Sequence, residues 1–114
     1  MNTYQARMKA LWRDDPTEAP MTIDLRLDAQ TRSISAPWDL FGAFDLDGDN
    51  SRPFILRRDG KIDFGVGAPH RWQTDLRGLR VGVGARFLVI WNEIDAGEYE
   101  VVKVARLGSR DKGE

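Results

Sequence analysis

The sequence predicts a mostly β fold: a small, partly open β-barrel or sandwich of about five to seven strands, preceded by one short N-terminal α-helix. Three stretches carry this reading. Arg86–Leu107 holds two runs rich in β-branched and aromatic residues, split by the polar Asn92-Glu93-Ile94-Asp95-Ala96-Gly97, which is a hairpin signature. Arg52–Val66 places Asp59-Gly60 between two apolar-bearing runs, the dipeptide favoured by tight hairpin turns. Thr22–Asp28 alternates apolar and polar side chains, as a strand with one buried and one wet face does.

Taken in order, Asn2 or Thr3 can cap a helix whose Tyr4, Met8, Leu11 and Trp12 fall on one apolar stripe. Pro16 and Pro20 stop it by Asp15, so the helix occupies residues 1–15 and docks on the sheet. The barrel or sandwich then occupies residues 21–107, and 108–114 form a flexible tail of one single domain. After the Thr22–Asp28 strand, Ala29-Gln30-Thr31 turns the chain into a short strand around Ser33-Ile34-Ser35, which Pro37 ends. Trp38, Leu40, Phe41 and Phe44, with Gly42 among them, are too apolar for water. They either plug one end of a barrel or form a contact patch.

With Asp59 and Gly60 as a two-residue loop, Arg58 faces Lys61 and Ile55 faces Phe64. Ile55, Ile62, Phe64 and Val66 then form the buried face. Gly65-Val66-Gly67-Ala68 and Gly82-Val83-Gly84-Ala85 repeat the same four residues, and glycine at alternate strand positions leaves a bare face for close approach of a ring or a backbone. Between them, Ala68–Arg80 reads as a long surface loop. Phe87–Trp91 has no polar residue on either face and should be central, with both faces covered by other parts of the chain or by a partner. In the last strand the alternation slips at Val101-Val102, which requires either a bulge there or a crossing between two packed layers.

At 114 residues the chain can bury a core without staples. It contains no cysteine, which removes thiol nucleophiles, disulfides and thiolate metal sites together. No apolar run approaches the roughly 20 residues of a membrane helix, and no recognisable secretion signal opens the sequence, so a cytoplasmic or virion-associated protein without a membrane partner is expected. The net charge of −1 is unevenly spread. Arg52–Arg86 carries eight Arg and Lys against three Asp, and Asp24–Asp49 carries six Asp against two Arg. Either the two segments neighbour and neutralise each other, or they make a dipolar surface for a charged partner.

Catalytic chemistry has little to stand on. His70 is the only histidine, no serine sits in a nucleophile elbow, and the glycine repeats complete neither a dinucleotide fingerprint nor a phosphate loop. Asp45-Leu46-Asp47-Gly48-Asp49-Asn50 begins like a calcium loop but has Asn50 where the sixth position needs Gly and Leu56 where the twelfth needs Glu. An acidic turn is expected there, with no metal, no cofactor and no small-molecule substrate, in a protein that is not an enzyme. Trp38 and Trp72 lie among charges, and Trp with Arg is the composition of a protein–protein hot spot and also of a base-stacking surface.

The run Val81–Trp91 followed by Gly97-Glu98-Tyr99-Glu100-Val101-Val102-Lys103-Val104 resembles the closing hairpin of small β-barrel proteins of tailed-phage virions, of the head-tail connector or stopper type. The resemblance spans about a quarter of the chain and implies a structural subunit of a virion. The functional expectation is therefore a non-enzymatic structural or interaction protein, a subunit of a homo- or hetero-oligomeric assembly such as a phage particle. The alternatives are an inhibitor or immunity-type protein that blocks one partner, and a nucleic-acid-binding barrel. The expected partner surface is Trp72, Arg71, Arg77 and Arg80 with Arg57, Arg58 and Lys61, and Trp72 is the expected anchor unless it folds back into the core.

Overall fold

Eight antiparallel strands close on themselves in chain order: β1 Thr3–Trp12, β2 Met21–Asp28, β3 Leu40–Leu46, β4 Asn50–Leu56, β5 Lys61–Asp63, β6 Trp72–Thr74, β7 Arg86–Trp91 and β8 Asp95–Arg106. Each strand pairs with its successor, and β8 returns to β1 through Ala6 opposite Arg106 to Trp12 opposite Tyr99. The computed structural model describes residues 2–46, 50–65, 71–91 and 95–107. The 108–114 tail, His70 and most of the acidic turn, Asp47 to Asp49, lie outside those residues.

The expected N-terminal helix is a strand. Tyr4, Ala6, Met8, Ala10 and Trp12 alternate with Gln5, Arg7, Lys9 and Leu11, and Ala6, Met8 and Ala10 are fully buried. The helical stripe and this alternation share Tyr4, Met8 and Trp12. The alanines decide between them, because small side chains on the inward face let β1 pair with β2 on one side and β8 on the other. That double ladder outweighs the weak propensity of a short isolated helix.

Closure also replaces the partly open barrel or sandwich, and the described residues form eight strands rather than five to seven. Two strands were hidden by their neighbours. β6 lies inside the expected 68–80 loop, followed by a 3-10 turn at Leu76–Gly78. β3 is the stretch with Gly42, where Leu40 and Phe44 point inward and Phe41 points out. A Cβ on Gly42 would sit 2.6 Å from the Thr22 carbonyl oxygen and 2.7 Å from Phe54 Cζ, so the missing side chain makes room for the Phe54 ring.

β2 meets its expectation, with Met21, Ile23, Leu25 and Leu27 buried in alternation. So does the turn after it: the Asp28 carboxylate accepts from the Gln30 and Thr31 N–H groups, and Ile34 bridges back to Leu27. The slip in β8 is a bulge. Lys9 faces Lys103 and Ala10 faces Val101, leaving Val102 as the extra residue, and the faces on either side of it stay in phase.

The β4–β5 turn differs from its expectation by one residue. Ile55 faces Asp63 and Leu56 faces Ile62, because Arg58, Asp59 and Gly60 all belong to the loop and Gly60 takes the left-handed conformation at φ 91°. A one-residue shift exchanges the faces. The exchange falls on β4, where Phe54 and Leu56 point inward and Ile55 points out beside Phe41, while Ile62 is buried and Phe64 packs on the core as expected. Gly82-Val83-Gly84-Ala85 is a turn before β7 rather than a bare-faced strand. Gly84 has φ 92°, and nothing lies within 4 Å of a Cβ placed on Gly82 or Gly84. Leu88, at the middle of β7, is 44% exposed, so the described residues of this chain leave the outer face of that strand partly uncovered.

Rings fill the interior. Phe44 packs on Phe54 at 5.0 Å and on Trp72 at 5.3 Å, Phe64 on Trp72 at 5.0 Å, and Trp12 on Trp91 at 5.1 Å. Eight strands enclose a space that side chains can fill, and these aromatic side chains occupy it. No helix among the described residues is long and apolar enough to cross a membrane.

Candidate docking wall on the barrel exterior

With the interior packed, chemistry available to a partner lies on the outside. Cross-strand pairing sets the outward residues of β3 to β6 in rows: Phe41, Ile55 and Asp63 in one, and Lys61 and Gln73 in the next, with Arg57 donating its N–H to the Lys61 carbonyl at 2.8 Å. Phe41 is 64% exposed. Ala43 and Pro53, paired outward beside it, extend the apolar strip.

The strip borders a recess of about 380 Å³ lined by Arg57, Lys61, Asp63, Arg71, Ile62 and Trp72. Arg57 reaches Asp39 at 3.4 Å and Asp63 at 3.8 Å, and Lys61 reaches Asp59 at 3.8 Å. These are long, exposed contacts that hold their charges weakly. The opposite wall is tighter. Arg7 grips Asp24 at 2.7 and 3.0 Å, Arg13 binds Glu98 at 2.8 Å, and Arg86 reaches Glu100 at 3.4 Å. The hydrogen bond and attraction from Asp24 raise the Arg7 pKa, as those from Glu98 raise that of Arg13. Among the described residues, Asp39–Arg57 is a contact at which the acidic and basic segments of the sequence neutralise each other. Asp24 is taken by β1, and Asp28 is held by its own turn, whose N–H groups lower its pKa.

The residues singled out from sequence fall into three groups. Arg57, Lys61 and Arg71 line the recess together. Arg58 and Arg80 stand exposed at the end of the barrel where the β4–β5 turn and the β6–β7 connection meet. Arg77 joins that end as a staple: its guanidinium donates to the carbonyls of Arg57 (2.8 Å), Ala36 (2.8 Å), Trp38 (2.7 Å) and Leu56 (3.1 Å). Desolvation lowers its pKa. Trp72 is half-buried, its ring among Phe44, Phe64 and Trp91, so it lines the recess from the core side.

Sequence reasoning placed Ile55 inside and left Phe41 undecided. The signal for Phe41 was its position between the inward Leu40 and Gly42, which is legible only once β3 is accepted as a strand. Trp38 and Phe41 share the outward side of this region, where the Arg26 guanidinium lies 5.7 Å from the Trp38 ring.

No family model, curated protein or solved structure matches this chain.

Proposed function

We propose that this barrel is a non-enzymatic interaction protein, a subunit of a larger assembly such as a phage particle, that docks a protein partner on the outer wall of β3 to β6. The observation that carries the reading is the apolar strip of Phe41, Ile55, Ala43 and Pro53 on a barrel whose interior is filled by its own aromatic residues. An exposed ring set beside arginines is the composition of an interface anchor. The barrel is closed, so partner recognition rests on side chains rather than on strand addition to a sheet edge. The likeness of the C-terminal hairpin to connector and stopper proteins supports the virion setting.

The test is the mass of the complex purified from the native source, by light scattering, for the natural chain and for Phe41→Ser. Loss of at least about 2 kcal/mol of binding, with the melting temperature unchanged, is the expected result for an anchor. An unchanged complex sinks the reading.

A further inference from the structure

The recess beside the apolar strip has a charge character that selects among protein partners. Its lining carries Arg57, Lys61 and Arg71 against Asp63, a surplus of two positive charges. Among the described residues no carboxylate lies within ion-pair distance of Arg77, at the neighbouring end of the barrel, and its four hydrogen bonds go to carbonyl oxygens. The ion pairs of Arg57 with Asp39 and Asp63 and of Lys61 with Asp59 span 3.4 to 3.8 Å on the surface, so turning either side chain toward a new carboxylate sacrifices little.

Resting on the docking wall proposed above, we infer that the segment it receives is acidic, alternating carboxylate and apolar side chains in an extended stretch of a partner protein. The apolar members cover Phe41 and Ile55, and the carboxylates meet Arg57, Lys61 and Arg71. The spacing suits this arrangement: Ile55 is the last outward position within β4 and Arg57 follows two residues on, its N–H still bonded across to Lys61, so they stand about 7 Å apart, the repeat of alternate side chains in an extended peptide. The guanidinium groups of Arg57 and Arg71 offer planar paired donors to a carboxylate.

The test uses the full chain and a short fluorescein-labelled peptide alternating Glu and Val, with its Gln and Lys counterparts, read by fluorescence anisotropy at low and physiological salt. The Glu peptide is expected to bind at least about tenfold tighter than the Gln peptide, about 1.4 kcal/mol by the affinity relation. Salt should weaken it, and Lys61→Glu should cost a further tenfold with the melting temperature unchanged; Lys61→Gln, which introduces no repulsion, should cost less. Equal binding of the Glu and Gln peptides, or no binding of the Glu peptide, overturns the acidic partner while leaving the Phe41 experiment to decide the docking wall. Steeply salt-dependent binding of oligothymidylate without peptide binding overturns both. Self-association of the chain that Asp45→Asn or Asp47→Asn dissolves identifies the occupant as a second copy and overturns the separate partner.

Discussion

The hydroxyl of Tyr99 donates to the carbonyl oxygen of Ala19 at 2.9 Å, tying the middle of β8 to the loop between β1 and β2. Tyr99 is fully buried, and Ala19 holds a left-handed backbone at φ 49°, unfavourable for a residue with a Cβ. The hydrogen bond thus holds a strained corner over the end of the barrel. Tyr99→Phe should destabilise by about 1 kcal/mol in urea unfolding, without change in the far-ultraviolet spectrum.

The same side chain sets an alkaline limit. Burial, and secondarily Glu18, raise the Tyr99 pKa above its ordinary value of 10.0. A folded-state value above the unfolded one means that this contribution is whole below pH 10 and is lost as pH rises toward the folded value. Stability should fall on that alkaline side, and Tyr99→Phe should remove that part of the fall. A parallel decline in both proteins, measured by unfolding at a series of alkaline pH values, would contradict the assignment.

Gly97 lies where β8 passes under two tryptophans. A Cβ there would overlap Trp91 Cη2 and sit 2.7 Å from Trp12 Nε1. Gly97→Ala should cost about 1 to 3 kcal/mol by overpacking, with a shift in tryptophan emission as the Trp12–Trp91 pair is forced apart.

Arg77 should be intolerant even of lysine. Its planar fork reaches four carbonyl groups on two segments, 36–38 and 56–57, and a single ammonium cannot reproduce that spread. Arg77→Lys and Arg77→Ala should both destabilise by about 2 to 3 kcal/mol, seen as lowered thermal midpoints.

Val102 offers the opposite case. As the bulged residue it has no partner on β1, and removing it brings inward Val101 next to outward Lys103, the ordinary alternation. Deletion of Val102 should therefore give a folded barrel, at a cost of no more than about 2 kcal/mol by thermal unfolding.

These cases mark what the sequence could convey. The clean alternation of Thr22–Asp28, the β7–β8 hairpin and the slip at Val101-Val102 were legible because pattern and pairing agree there. β1 was not, since Tyr4, Met8 and Trp12 satisfy helical and extended periods alike and only the inward seats of Ala6 and Ala10 separate them. Ile55 was placed on the wrong face because Asp59-Gly60 fits both a two-residue and a three-residue loop, and one residue exchanges inside for outside. At the candidate wall, the arginine-rich segments were visible as composition. Which of them line a recess and which one staples carbonyls depends on a closure made between the two ends of the sequence.

That closure has a temporal side. β1 completes its pairing only with β8, and β8 is also the partner of β7. A nascent chain emerging from the ribosome carries β1 with one edge unsatisfied until the last strand has been made, and no set of strands lacking β8 forms a closed wall. The side chains of the proposed docking wall on β3 to β6 are synthesised midway, yet the barrel on which they stand closes only once β8 is present, so the wall gains its support after translation of β8 rather than before it.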